Sequence, residues 1–158
     1  FVHKNMDTWR EVFKGVETKH EKTGFTVSGA VDDIWINPNE ELMVVDYKAT
    51  GAQNHKIYDS YARQMEIYQW LLAQNKFKVS PTGYFVFAKV NKAEGFGFGK
   101  AALSFNLLIE PYTGDRSWVE KAILNARKTL DQEKSPESNP ECEYCKYVQL
   151  ALKAHEKC

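Results

Sequence analysis

The chain has 158 residues, 43% hydrophobic and 27% charged, a balance that fits one soluble domain with a sizeable core and excludes a disordered chain. No apolar run approaches the roughly 18 residues of a membrane span, and no secretory hydrophobic region is present. The 21 basic residues offset the 21 acidic ones, which excludes a protein that works through a strong overall positive field.

In chain order, Asn5 to about Lys19 is predicted to be a helix, because Met6, Trp9, Val12, Phe13 and Val16 fall on one stripe. Gly24 breaks that pattern. Phe25 to Ile36 is rich in β-branched and aromatic residues and is predicted as a strand, Asn37 to Glu40 as a turn, and Glu41 to Lys48 as a second strand. The two strands should form an antiparallel hairpin. A polar loop follows, from Ala49 to about Lys56. Ile57 to Asn75 is the clearest helix, with Tyr58, Tyr61, Ala62, Met65, Tyr68 and Leu72 as its buried stripe. Pro81-Thr82-Gly83 leads into Tyr84 to Val90, whose almost wholly apolar composition predicts an interior strand covered on both faces. Asn91 to Lys100 should be a mobile loop and Ala101 to Glu110 a further strand. Asp115 is placed to cap a helix running to about Gln132, with Trp118, Val119, Ile123, Ala126 and Leu130 on its inner side. Glu133 to Glu141 is a linker, and a short helix is expected after Cys145. The sum is an α/β domain with a mixed central sheet flanked by helices, single over residues 1–158, with a cysteine-containing tail from about residue 133.

The stretch that carries chemistry is Gly29-Ala30-Val31-Asp32-Asp33, followed after the turn by Val44-Val45-Asp46-Tyr47-Lys48. Asp46 and Lys48 are two apart, so strand geometry puts them on one face. Asp32, on the partner strand of the hairpin, can converge on them. Two neighbouring carboxylates repel when buried, and a hard divalent cation with a preference for oxygen relieves the conflict. With an ammonium alongside, those parts suit phosphodiester hydrolysis. An ion pair on an edge strand accounts for Asp-x-Lys alone equally well.

At this point the sequence resembles the RecB-like branch of the PD-(D/E)xK nuclease superfamily. The family pattern has Gly-x-x-Asp on one strand, Asp-(Tyr/Phe)-Lys on the next and Gln-x-x-x-Tyr on the following helix. Here these are Gly29 to Asp32, Asp46-Tyr47-Lys48 and Gln64 to Tyr68, with Thr50-Gly51 fitting the usual continuation. The resemblance covers about residues 24–87. It implies a restriction-endonuclease-like fold and a Mg²⁺- or Mn²⁺-dependent nuclease acting on DNA, single-stranded or at duplex ends. It also implies the roles. Asp32 and Asp46 would ligate the metal with the Tyr47 backbone carbonyl, Lys48 would be the catalytic lysine, and Gln64 and Tyr68 would border the site. Asp33 should point to the opposite strand face. In one place the sequence departs from the family: an upstream helix should add a Glu or His, and Glu11, Glu17, His20 and Glu21 are candidates without a recognisable motif. The chain opens on Phe1, and the alternative to these candidates is a residue on a segment before it.

Cys142, Cys145 and Cys158 all fall in the last 17 residues, which argues against a disulfide scaffold and for a reducing cytoplasm. Cys142-x-x-Cys145 has the spacing of a Zn²⁺ or iron–sulfur half-site. Some members of the resembled family carry a [4Fe–4S] cluster, which this chain would share only if residues beyond it complete the ligand set; ordinary free thiols are the plainer reading. Residues 52–100 hold seven Lys or Arg against three Asp or Glu, the source of any local basic surface, although a solvated face explains the bias as well. Within them Lys92, Phe96, Phe98 and Lys100 suit stacking on single-stranded bases, and a flexible hairpin with no such role fits at least as well. A role in repair, recombination or mobile-element biology follows from the resemblance. The rivals are a nucleic-acid-binding module of the same fold that no longer cleaves, and an interaction domain that recruits a partner through its CxxC tail.

Overall fold

The computed structural model describes residues 3–52, 56–91 and 102–155. The chain divides into two compact units, Phe1–Ala122 and Ile123–Cys158. The first holds α1 (Met6–Trp9), β1 (Val16–His20), β2 (Phe25–Gly29), β3 (Asp33–Ile36), β4 (Leu42–Thr50), α2 (Asp59–Gln74), β5 (Thr82–Val90) and β6 (Phe105–Thr113). Helix α3 (Ser117–Leu130) begins in the first unit and ends in the second, which also holds α4 (Glu143–His155). Among the described residues no helix is long and apolar enough to cross a membrane.

Strands β1 and β2 form a two-stranded antiparallel sheet, and β3-β4-β5-β6 form a four-stranded mixed sheet. Within the larger sheet β4 and β5 run parallel, while β3 and β6 are antiparallel to their neighbours. Parallel neighbours need a crossover, and α2 supplies it. It buries Met65, Tyr68, Trp70, Leu71 and Leu72 and packs on β1, β2 and β4. The mixed sheet flanked by helices and the interior position of Tyr84 to Val90 agree with the sequence.

The β3–β4 turn is fixed by one side chain. Asn37 Oδ1 accepts from the amides of Asn39 and Glu41, and its Nδ2 donates to Glu41 Oε2 at 2.8 Å. Glu40 takes a left-handed φ of 59° to close the turn. Ile36 then pairs with Leu42 and Asp33 with Val45. On the far side of α2, the buried Glu66 carboxylate accepts from Tyr112 Oη (2.7 Å), Trp118 Nε1 (2.6 Å) and the Asp115 amide (3.1 Å), tying α2 to β6 and the start of α3. Burial, reinforced by Glu66, pushes the Tyr112 hydroxyl up to about 12.

Several expectations fail. Helix α1 stops at Trp9 instead of reaching residue 19, and Val16–His20 is a strand. Gly15 turns the chain at φ 65°, after which Val16 and Thr18 gain more from pairing with β2 than from extending a helix. Val12 and Phe13 stand exposed rather than on a buried stripe. The single strand from Phe25 to Ile36 is two strands in two sheets, broken at residues 30–32 because the buried Val31 gives its amide to the Trp9 carbonyl at 3.0 Å. Ala126 and Leu130, expected inside, are exposed, Val119 is the buried residue of α3, and Tyr58, expected on the buried stripe before α2, is exposed. Asp115 Oδ1 does accept the Ser117 amide at the start of α3. The loop expected at 91–100 and its residues Lys92, Phe96, Phe98 and Lys100 lie outside the described residues apart from Asn91, as does Cys158.

Two glycines with similar backbones test this architecture. A Cβ at Gly15 would lie 2.5 Å from the Gly29 carbonyl oxygen, whereas Gly24, at φ 72°, has open space around it. Gly24→Ala should cost about 1–2 kcal/mol of left-handed strain, and Gly15→Ala a further ~1–3 kcal/mol of overpacking. Urea denaturation of the two variants measures the difference; equal losses would mean that the Gly15–Gly29 approach is not tight.

Candidate functional site

The seat of Asp32 is built from three directions. Val31 is held by Trp9, and Arg10 Nε donates to the Asp32 carbonyl at 2.9 Å while its Nη2 reaches Asp33 Oδ1 at 3.0 Å. Strand β3 begins opposite Val45, so the next β4 amide facing that way, from Tyr47, lies past the end of the ladder. Asp32 Oδ2 accepts it at 2.8 Å. A residue's N–H and C=O leave a strand by the same edge, so the Tyr47 carbonyl shares the edge that Asp32 covers. Asp32 thus stands on the connector just before β3, one residue short of the strand on which the sequence placed it.

Strand β4 sends Asp46 and Lys48 to one face and Tyr47 to the other. The Asp46 side chain is almost fully buried, and Lys48 Nζ lies 2.6 Å from its Oδ2. That ion pair is the polar contact of Asp46 Oδ2 among the described residues. Burial raises the Asp46 pKa above the ordinary carboxylate value; Lys48 opposes the rise and the charge of Asp32 adds to it. Lys48 Nζ also donates to Gln64 Oε1 at 3.1 Å and stands 4.6 Å from the centre of the Tyr61 ring. Gln64 Nε2 donates in turn to Tyr68 Oη at 2.9 Å. Gln64 and Tyr68 sit one helical turn apart on α2, so a single chain of contacts runs from Asp46 through Lys48 and Gln64 to Tyr68. The Tyr68 hydroxyl is raised in pKa, chiefly by burial.

The opposite face carries Tyr47, whose hydroxyl donates to Asp33 Oδ2 at 3.0 Å, and burial followed by that bond raises its pKa. Asp33 therefore faces away from Asp46, as expected. Glu11 pairs with Lys14 at the surface, and Glu17 and Glu21 are exposed. His20 is buried between Thr23 Oγ1 (2.7 Å) and Glu120 Oε2 (3.1 Å). These partners lie outside the Asp46–Lys48 set. Among the described residues no three His, Cys, Asp or Glu side chains gather as a metal cluster. Cys142 and Cys145 are free thiols, with the Cys145 amide 3.4 Å from Cys142 Sγ. That bond lowers the Cys142 pKa, while the hydrogen bond to Cys142 raises that of Cys145. Two thiolates do not complete a zinc or iron–sulfur site.

Arg10 and Tyr61 are the contributors that sequence reasoning missed. Arg10 lies in no motif, and its reach to residues 32 and 33 exists only in three dimensions. Tyr61 had a signal: it stands three residues before Gln64, on the same face of the helix.

A family model described as the PD-(D/E)XK nuclease superfamily matches residues 2–150. No curated protein matches the chain. Among solved structures, the crystal structure of SSO0001 is similar at 19% identity and a TM-score of 0.42, over 82% of this chain and 52% of that one. The chain thus spans about half the length of that protein, and a likeness so distant carries no functional information.

The buried Asp46 carboxylate makes stability depend on pH with a definite sign. Its native pKa is raised, so between the unfolded and native values the native state holds more protons. Its contribution is therefore full below the unfolded value, about pH 4, and is lost as pH rises through the native one. Asp46→Asn should flatten that fall and raise stability at neutral pH by about 1 kcal/mol. Denaturation across a pH series with chelator present checks this; an unchanged or steeper pH dependence in the variant would refute it.

Proposed function

Since this chain belongs to the PD-(D/E)XK nuclease superfamily, we propose that it is a metal-dependent deoxyribonuclease of the RecB-like branch, acting in repair, recombination or mobile-element processing. The observation that carries this reading is Asp46: a buried carboxylate with an ammonium at 2.6 Å and a second aspartate close enough to raise its pKa. Two neighbouring carboxylates fit a hard divalent cation, which prefers oxygen ligands and commonly uses one or two carboxylates with water and substrate phosphate. Asp32 and Asp46 would hold Mg²⁺ or Mn²⁺, with the Tyr47 carbonyl at the same edge. When bound, the metal polarises the scissile phosphoryl group and makes water a better nucleophile.

The chain's own groups do the rest. Lys48 neutralises charge developing on the phosphate oxygens and orients the attacking water. Gln64 and the Tyr61 ring hold its ammonium in place, and Tyr68 anchors Gln64. The Tyr47 amide fixes the Asp32 carboxylate, and Arg10 fixes the backbone that bears it. DNA, at single-stranded segments or duplex ends, is the substrate proposed on the motif resemblance.

A second reading, a nucleic-acid-binding module of this fold that no longer cleaves, is favoured by one observation. Among the described residues no further acidic or histidine side chain joins Asp32 and Asp46 in a metal cluster.

Calorimetric Mn²⁺ titration paired with a cleavage assay on single- and double-stranded DNA separates the roles. Asp46→Asn should lose metal binding and cleavage together. Lys48→Ala should keep metal binding and lose about 10²–10³ in rate. Wild-type protein that binds Mn²⁺ and DNA without turnover would establish the second reading, and Lys48→Ala that cleaves at the wild-type rate would remove the proposed mechanism.

A further inference from the structure

A groove of about 600 Å³ opens beside the candidate site. It shares Gln64 and Tyr68 with the contact chain that starts at Asp46, and Ser28, Gly29, Ser60 and Arg63 line the remainder of its polar wall. Arg63 is exposed, and among the described residues it makes no hydrogen bond or ion pair. No carboxylate lines the groove among those residues. Ser28 and Ser60 are exposed residues. A Cβ at Gly29 would come within 2.6 Å of Tyr68 Cε1, so the Tyr68 ring packs directly on the Gly29 backbone at the groove's edge. The groove therefore presents a cation and two serines beside the Gln64–Tyr68 end of the contact chain, with Tyr61 and Ile67 completing its lining.

We propose that this groove binds the phosphodiester backbone of the nucleic-acid strand next to the scissile position, with Arg63 as its phosphate contact. The proposal rests on the nuclease reading for the identity of the ligand. Guanidinium groups suit phosphate because their planar fork gives paired hydrogen bonds. A contact of this kind holds the strand in register without reading its sequence.

The test is fluorescence anisotropy with labelled single-stranded and duplex DNA, with chelator present to prevent turnover, over a series of salt concentrations. It uses the full chain as wild type, Arg63→Ala, Arg63→Lys and Lys121→Ala, the last removing one charge from a residue that does not line the groove. Arg63→Ala should weaken binding about tenfold. It should also lower the slope of log affinity against log salt by about 0.7 for a single strand or about 0.9 for a duplex, and the arm that moves identifies the form bound. Arg63→Lys should restore the slope, and Lys121→Ala should keep it. Wild-type affinity and slope in Arg63→Ala, an equal loss in Lys121→Ala, or no DNA binding by the wild type would overturn the proposal. Cleavage by the same proteins with Mn²⁺ keeps the two readings apart. Binding that depends on Arg63 without cleavage would sink the nuclease reading alone, and cleavage with Arg63-independent binding would sink the groove alone.

Discussion

Burying a carboxylate is costly unless its charge is compensated, and Asp46 is compensated by one ammonium. Lys48 cannot do this alone, because a flexible side chain with a charged head would turn to water. Gln64 and the Tyr61 ring keep it at Asp46, and both come from α2. The central strand and its crossover helix are therefore joined by a polar chain as well as by the apolar packing around Met65, Leu72 and Phe85. The same burial that destabilises the charged aspartate keeps its carboxylate out of bulk water, in surroundings where a cation would be held more strongly.

The rest of the domain reads as support for that arrangement. Asp32 is not delivered by a strand but by a short connector, and connectors are mobile unless tied. Here the ties come from the opening segment, through the Trp9 carbonyl and the two arms of Arg10. Gly15 lets that segment press against Gly29, and Gly29 lets Tyr68 press against the connector's other end. A failed helix thus has a structural consequence: a long α1 would have carried Val16–His20 away from β2.

What the sequence made legible was whatever depends on near neighbours. The alternation that puts Asp46 and Lys48 on one face, the four-residue step from Gln64 to Tyr68, and the apolar run of β5 are local rules, and each agrees with the fold. The turn at Asn37 to Glu40 was equally readable. What failed depended on distant partners. The stripe of Met6, Trp9, Val12, Phe13 and Val16 was a good helical pattern overruled by pairing of Val16–His20 with β2. The break at residues 30–32 depends on Trp9 and Arg10, about 20 residues upstream, and no window along the chain contains both ends of those bonds. Arg10 was invisible for the same reason, whereas Tyr61 was noticed only as a core residue because its cation–π role requires knowing where Lys48 points.

The Asn37 turn has an effect beyond its own hairpin. It sets Ile36 opposite Leu42, and through that pairing it decides which β4 residues stand where. Strand side chains alternate strictly, so shifting the pairing by a single residue would exchange Asp46 and Lys48 for Val45 and Tyr47. The two ends of the hairpin are thus one device, with spacing set at one and chemistry expressed at the other. Insertions or deletions there would be felt as a change of parity: an odd change inverts the site, and an even one slides it along the strand with its face preserved.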